Sequence, residues 1–191
     1  MEIVEIVTSG DRIQHVALSQ VGGTNFFTKD IEDALLAERV DLAVHSFKDL
    51  ATDEPRGLGV CAVLERADPR DALVAPAGST LASLPAGAAV GTSSLRRKAF
   101  LAAARADLET RELRGNVPTR LRKFHDGQYD ALLLATAGLE RLGLGEHIVE
   151  RIDPDVLTPA PAQGAVAIQT RVDDARTRSW VERINHPATL R

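Results

Sequence analysis

The sequence predicts an α/β protein of two lobes, built from mainly parallel sheets with flanking helices, the second lobe inserted into the first. Three observations lead there. Short apolar runs of strand length alternate with helical segments, the pattern of parallel strands joined by crossover helices. The charged, proline-bearing stretch Glu65-Arg66-Ala67-Asp68-Pro69-Arg70-Asp71 and the stretch Thr158-Pro159-Ala160-Pro161-Ala162-Gln163-Gly164 read as an outward and a return crossing. At 191 residues with 44% apolar content, the chain is long enough for one or two real cores. Residues 1–65 and 165–184 are expected to form lobe one, residues 70–160 lobe two, and residues 185–191 the start of a linker.

The elements follow in order. Glu2 to Val7 reads as a strand closed by the turn Thr8-Ser9-Gly10-Asp11. A helix is expected from about Phe26 to Glu38, because Phe27, Ile31 and Leu35 recur every four residues. Asp41 to Ser46 is a short apolar strand running into Phe47-Lys48-Asp49, and Leu58 to Leu64 is another. Beyond the first crossing, strands are expected at Ala72–Ala75, Ala88–Val90, Leu108–Leu113 and Asp130–Thr136. Helices lie between them, and one over Ala137–Leu142 is stopped by Gly143. After the return crossing come a strand over Ala165–Thr170 and a helix over Asp173–Ile184.

The stretch Gly91 to Lys123 stands apart electrically. The chain carries 23 Lys and Arg against 27 Asp and Glu, a net of −4. This stretch holds nine basic residues and three acids, so it is locally +6 and the remainder is −10. A basic island in an acidic chain is a footprint for an anion. Thr92, Ser93 and Ser94 lead into a helix that begins Leu95-Arg96-Arg97, with Ser93 or Ser94 as its cap. Free N–H groups, hydroxyls and guanidinium forks at such a start would receive an anion together. The arrangement recurs at Arg114-Gly115-Asn116. There Asn116 caps a second helix with Pro118 in its first turn and Arg120 beside it. A solvated basic face would be served equally by lysine, whereas these junctions carry arginine, which grips planar carboxylates or phosphates with two bonds.

Other classes are disfavoured. No apolar run approaches the roughly 20 residues of a membrane span. The N-terminus carries no charged n-region or cleavage signal, and the single cysteine, Cys61, excludes an internal disulfide, so a cytoplasmic protein is expected. The five histidines are scattered and no metal-ligand spacing occurs. Aromatics make up 4% of the chain and none interleave with the arginines, so a nucleic-acid surface is not expected. A monomer is expected.

Ligands of open α/β sheets bind at the carboxyl ends of strands, where His45-Ser46-Phe47-Lys48-Asp49, Gly91-Thr92-Ser93-Ser94 and Arg114-Gly115-Asn116 all fall. A lone carboxylate, Asp49, facing a set of arginines would suit a polycarboxylate substrate on which positive charge develops. Taken singly, Asp49 reads first as a turn residue and Lys48 as a solvated side chain, and His45 reads as a structural strand-end histidine.

The segments DLAVHSFKDL (41–50), LERADPRDALV (64–74), VGTSSLRRKAFL (90–101), LRGNVPTRLRK (113–123), GQYDALLLATAGLERLGL (127–144) and PAPAQGAVAIQTR (159–171) resemble the porphobilinogen deaminase family, also called hydroxymethylbilane synthase. The resemblance covers essentially the whole chain. It implies two lobes like those of type II periplasmic binding proteins. It also implies a transferase of tetrapyrrole biosynthesis that condenses four porphobilinogen molecules head to tail, releasing ammonia, on a covalently held dipyrromethane. Asp49 then resembles the catalytic carboxylate. Ser46, Lys48, Thr92, Ser93, Ser94, Arg96, Arg97, Arg114, Gly115 and Asn116 resemble the dipyrromethane contacts. Phe27, Arg120, Arg141, Gln163 and Gly164 resemble substrate contacts. The alternative is a two-lobed polycarboxylate-binding module without turnover.

The chain departs from the family pattern in several places. Gln20 and Thr24 stand where lysines are frequent, and Pro161-Ala162 replaces a small, flexible pair. The sequence starts after the family's first strand and helix, and stops where a third, cysteine-bearing domain would follow. On that pattern the anchoring cysteine is absent and the chain by itself is expected not to turn over porphobilinogen.

Overall fold

The computed structural model describes residues 2–8 and 28–190. The chain divides into two compact units, residues 1–67 with 165–191, and residues 68–164.

In the first unit, helix α1 spans Lys29–Leu36 and strand β1 spans Leu42–Ser46, leading directly into a 3-10 turn at Phe47–Asp49. Strand β2 is Leu58–Val63. The sheet is completed by β8 (Val166–Arg171), which lies between β1 and β2 and runs antiparallel to both. Alternation along β1 buries Ala43 and His45 and leaves Leu42, Val44 and Ser46 exposed. Leu35 of α1 packs on Ala43 and Leu58. Helix α5 (Ala175–Val181), capped by Asp174, sets Val181 against Ala62 and Ile168. A 3-10 turn, Glu182–Ile184, and the short helix α6 (Pro187–Leu190) follow.

The second unit is a five-stranded sheet in the order β5-β4-β6-β3-β7. Its strands are β3 (Asp71–Val74), β4 (Ala89–Gly91), β5 (Glu109–Arg111), β6 (Ala131–Ala135) and β7 (Glu150–Arg151). Helix α2 (Leu95–Ala104) connects β4 to β5, and α3 (Val117–His125) connects β5 to β6. Helix α4 is Thr136–Arg141. Both faces of the sheet are covered. Leu73, Val90, Ala131 and Leu133 point to one side with Leu101 of α2. Ala72, Val74, Leu132 and Leu134 point to the other with Leu121 of α3 and Leu139 of α4. The successive leucines of β6 thus serve two cores in turn.

The sheets are mixed, where mainly parallel ones were expected. Among the described residues only the pairings β4·β5 and β4·β6 are parallel. They are also the ones bridged by crossover helices, which parallel neighbours require. β3 and β8 are each the first strand after the chain changes unit. No crossover helix precedes them, and both pair antiparallel with their neighbours. Residues 2–8 form no strand, contrary to the expectation for Glu2 to Val7. The expected helix from Phe26 is described only from Lys29, and Phe27 lies outside the described residues. Among the described residues no helix is long and apolar enough to cross a membrane, and no cluster of three or more His, Cys, Asp or Glu could hold a metal.

Candidate functional site

In the second unit the sequence builds two helix starts at strand ends. Ser94 caps α2, its hydroxyl accepting the Arg97 N–H at 3.4 Å. Thr92, fully buried, accepts the Ser94 N–H through Oγ1 at 3.2 Å. Asn116 caps α3, its Oδ1 accepting the Thr119 N–H at 3.0 Å. Gly115 sits at φ +113, and an added Cβ would come within 2.8 Å of Thr119 Cγ2, so this turn needs glycine. The two starts are stitched together by Ser93. Its hydroxyl donates to the Leu113 carbonyl at 2.8 Å and accepts the Leu113 N–H at 3.0 Å.

Around this pair the arginines divide by what they hold. Arg97 is buried, one helical turn from buried Leu101. Its Nε and Nη2 donate to Asp71 Oδ1 at 3.0 and 2.7 Å, and its Nη1 donates to the Leu133 carbonyl at 3.0 Å. Asp71, at the start of β3, has no exposed surface. Arg96 approaches it from the other side, with Nη2 2.7 Å from Oδ2, and donates through Nη1 to the Thr158 carbonyl. Gln163 supplies a third partner, its Nε2 donating to Asp71 Oδ1 at 2.9 Å and to the Pro69 carbonyl at 2.7 Å. Burial by itself would raise the Asp71 pKa. Arg97, Gln163 and Arg96 outweigh it and hold the carboxyl below its ordinary value.

Three of the expected site residues already have partners of their own. Arg97 does not present an open fork, because each of its nitrogens serves Asp71 or Leu133. Ser93 spends its hydroxyl on Leu113, and the Gln163 amide nitrogen is spent on Asp71 and Pro69. All three had been expected to face a ligand, and all three bind the unit's own backbone and carboxylate. The basic island is likewise partly neutralised from within. Lys98 pairs with Glu112, Arg105 with Asp107 and Arg111 with Glu109. Arg105 also ties down the carbonyls of Leu81, Ala82 and Leu84, which makes it a structural brace.

The remaining residues lie as follows. Arg114 is half-buried at the turn before α3, and Lys123 donates to its carbonyl at 3.0 Å. Arg120 lies on the first turn of α3 and donates through Nε to the Gly115 carbonyl. Arg141, exposed at the end of α4, donates to the Gly164 carbonyl at 2.6 Å. Ser46, Lys48 and Asp49 belong to the first unit, at the end of β1 and in its 3-10 turn, and all three are exposed. His45 is buried on β1, and burial lowers its pKa against an opposing hydrogen bond with Gln169, the behaviour of a neutral structural histidine. Cys61 lies half-buried in β2, its thiol donating to the Ile168 carbonyl at 3.6 Å.

The residue that sequence reasoning missed is Asp71. It reads there as one more charge in a solvated crossing. The available signal was its position, the last charge before the wholly apolar run Ala72 to Ala75, where a strand-borne carboxylate needs a partner.

Comparison with known proteins separates fold from family. The chain is similar to the solved structure of a putative methionine-binding lipoprotein from Bacillus subtilis, with a TM-score of 0.55 at 15% identity, over 84% of this chain and 76% of that one. It is similar to a periplasmic substrate-binding protein of an ABC transporter from Coxiella burnetii, with a TM-score of 0.55 at 16% identity, over 86% and 78%. The methionine-binding protein MetQ gives 0.54 at 16% identity, over 80% and 72%. These likenesses show the two-lobed fold of type II binding proteins. The family model described as porphobilinogen deaminase, dipyromethane cofactor binding domain, matches residues 1–179. With its two capped, arginine-bearing helix starts and this match along nearly its full length, the chain belongs to the porphobilinogen deaminase family.

Proposed function

We propose that the chain serves as the dipyrromethane-binding part of a hydroxymethylbilane synthase-type transferase, which joins four porphobilinogen molecules head to tail with release of ammonia. The observation that carries this reading is the family match over residues 1–179, which spans both capped helix starts and the Asp49 turn. The donor set suits a dipyrromethane. The hydroxyl of Ser94, cap N–H groups and the guanidinium groups of Arg96, Arg114 and Arg120 match a group bearing several carboxylates, with buried Thr92 bracing the start of the helix. When bound, that group would supply the growing end to which pyrroles are added.

The chain's own residues do the rest in this reading. Arg96, Arg114 and Arg120 bind and orient acetate and propionate side chains, with Ser94 and Asn116 keeping the helix starts in place. Ser46 and Lys48 provide a hydroxyl and an ammonium beside Asp49. The exposed carboxylate of Asp49 sits on a short turn fixed by Phe47, whose N–H donates to the Ala165 carbonyl at 3.1 Å. There it assists departure of the amine and stabilises positive charge on the pyrrole. Arg141 contacts the incoming pyrrole. The test is porphobilinogen consumption and ammonia release in a full-length context, with Asp49 intact and with Asp49→Ala. Consumption that survives this substitution undiminished would move the acid elsewhere.

A second reading, a polycarboxylate-binding module without turnover, is favoured by the solved structures of similar fold, whose names describe substrate-binding proteins. A dipyrromethane that binds tightly while porphobilinogen is never consumed would select it.

A further inference from the structure

The two arginines that open α2 are held by one carboxylate in unlike ways. Asp71 Oδ1 accepts three directed hydrogen bonds, two from Arg97 and one from Gln163. Asp71 Oδ2 accepts no well-aligned hydrogen bond, although Arg96 Nη2 lies 2.7 Å from it. The Arg97 side chain is 7% exposed and that of Arg96 20%. Arg97 is therefore locked on three sides, whereas Arg96 meets Asp71 through Nη2 and Oδ2 only and otherwise donates to the Thr158 carbonyl. A carboxylate placed so stands where an acidic ligand's carboxylate would stand for Arg96.

We propose that Asp71 is an internal counter-ion that holds Arg96 in reserve, and that Arg96 exchanges Asp71 for a ligand carboxylate while Arg97 stays fixed. The inference rests on the reading that this unit binds a pyrrole polycarboxylate. Asp71 is then a positioning residue that sets affinity through Arg96. Arg97 and Gln163 have a definite part in the exchange. They keep Asp71 compensated after Arg96 leaves, so the buried carboxylate is never stranded without a partner. A single arginine on Asp71 could not be released at so small a cost. The two adjacent arginines at the start of one helix are thereby given different tasks, one to neutralise and one to move.

The exchange has a measurable signature. In the wild-type chain the ligand must compete with Asp71, and its apparent affinity is reduced by the fraction of Arg96 that is held. The probe is a free dipyrromethane carrying acetate and propionate side chains, titrated calorimetrically. Asp71→Asn should lower the unfolding midpoint, because Arg97 loses its partner, and yet tighten probe binding by roughly three- to tenfold. A merely structural residue would weaken binding or leave it alone. The gain should vanish when Arg96→Gln is combined with Asp71→Asn, since no arginine is left to be released. Asp71→Asn affinity that is unchanged or weaker, or a gain that persists without Arg96, overturns the proposal. If Asp71→Asn does not fold, the wild-type chain decides by its arginine side-chain NMR signals. On adding the probe, Arg96 Nε–H should shift while Arg97 Nε–H stays in place. Movement of the Arg97 signal, or of neither, overturns it. Failure of the wild-type chain to bind the probe at all would remove the underlying reading as well, and so is distinguishable from failure of this inference alone.

Discussion

Replacing Arg97 should damage the fold before it damages binding. Arg97→Met removes two hydrogen bonds to Asp71 Oδ1 and one to the Leu133 carbonyl, in a place where Asp71 has no exposed surface. Breaking a buried ion pair by deleting one partner costs about 3–5 kcal/mol, because the other charge is left uncompensated. Arg96 and Gln163 remain on Asp71, so the lower end, about 3 kcal/mol, applies. For a chain of this length each kcal/mol moves the unfolding midpoint by roughly 2–4 °C, giving an expected fall of about 6–12 °C. Calorimetric or circular-dichroism melting of purified wild type and Arg97→Met measures it. Combining Arg97→Met with Asp71→Asn should lose less than the two single changes together, since the buried charge disappears with its partner. A midpoint within about 2 °C of wild type would refute the reasoning and restore Arg97 as an exposed anion receptor.

Further outcomes follow from the same structure. In a full-length context, Asp49→Ala should reduce porphobilinogen turnover by several powers of ten while dipyrromethane binding survives, and Asp49→Glu should keep part of the rate; steady-state assays beside calorimetry separate the two effects. His45 is held below its ordinary pKa, so its fold contribution is complete above about pH 6.5 and is lost as pH falls and the unfolded chain takes up the proton first; His45→Gln should flatten that acid limb in urea titrations at stepped pH. Asp71 works at lower pH in the same direction. Its contribution is full above about pH 4 and is lost as pH falls through its depressed folded value; Asp71→Asn should remove that part of the acid unfolding curve. Gly115→Ala should cost about 1–3 kcal/mol, because alanine is strained at φ +113 and its Cβ meets Thr119 at 2.8 Å; chemical denaturation reads it.

What the sequence revealed and what it hid differ in range. A cap at Ser93 or Ser94 and one at Asn116 were readable because a cap and its helix are local; the side chains of Ser94 and Asn116 each bond an N–H three residues on. The leucines of β6 were readable as a strand for the same reason. The commitment of Arg97 was hidden, because its partner lies 26 residues upstream in a stretch that reads as solvated charge. Gln163 was hidden more deeply, since Asp71 lies 92 residues from it. Strand direction at β3 and β8 was equally out of reach, for an apolar run reads alike in a parallel or an antiparallel ladder. Strand β7 has two residues and cannot display a period at all.

The position of β8 also dictates an order of assembly. It is the middle strand of its sheet, and both β1 and β2 bond to it and not to each other. Among the described residues β8 is the one strand that β1 and β2 bond to, and during synthesis it emerges only after residues 68–164 have followed them. Those intervening residues hold every strand and helix of their own unit, so they can fold while the earlier strands wait with unpaired edges. Closing the three-stranded sheet is then a late, long-range event of the kind that slows folding most. A destabilising change within β8, such as a proline at Ile168, would therefore act chiefly on nascent chains, leaving a folded middle segment preceded by two strands that lack their shared partner and are open to aggregation.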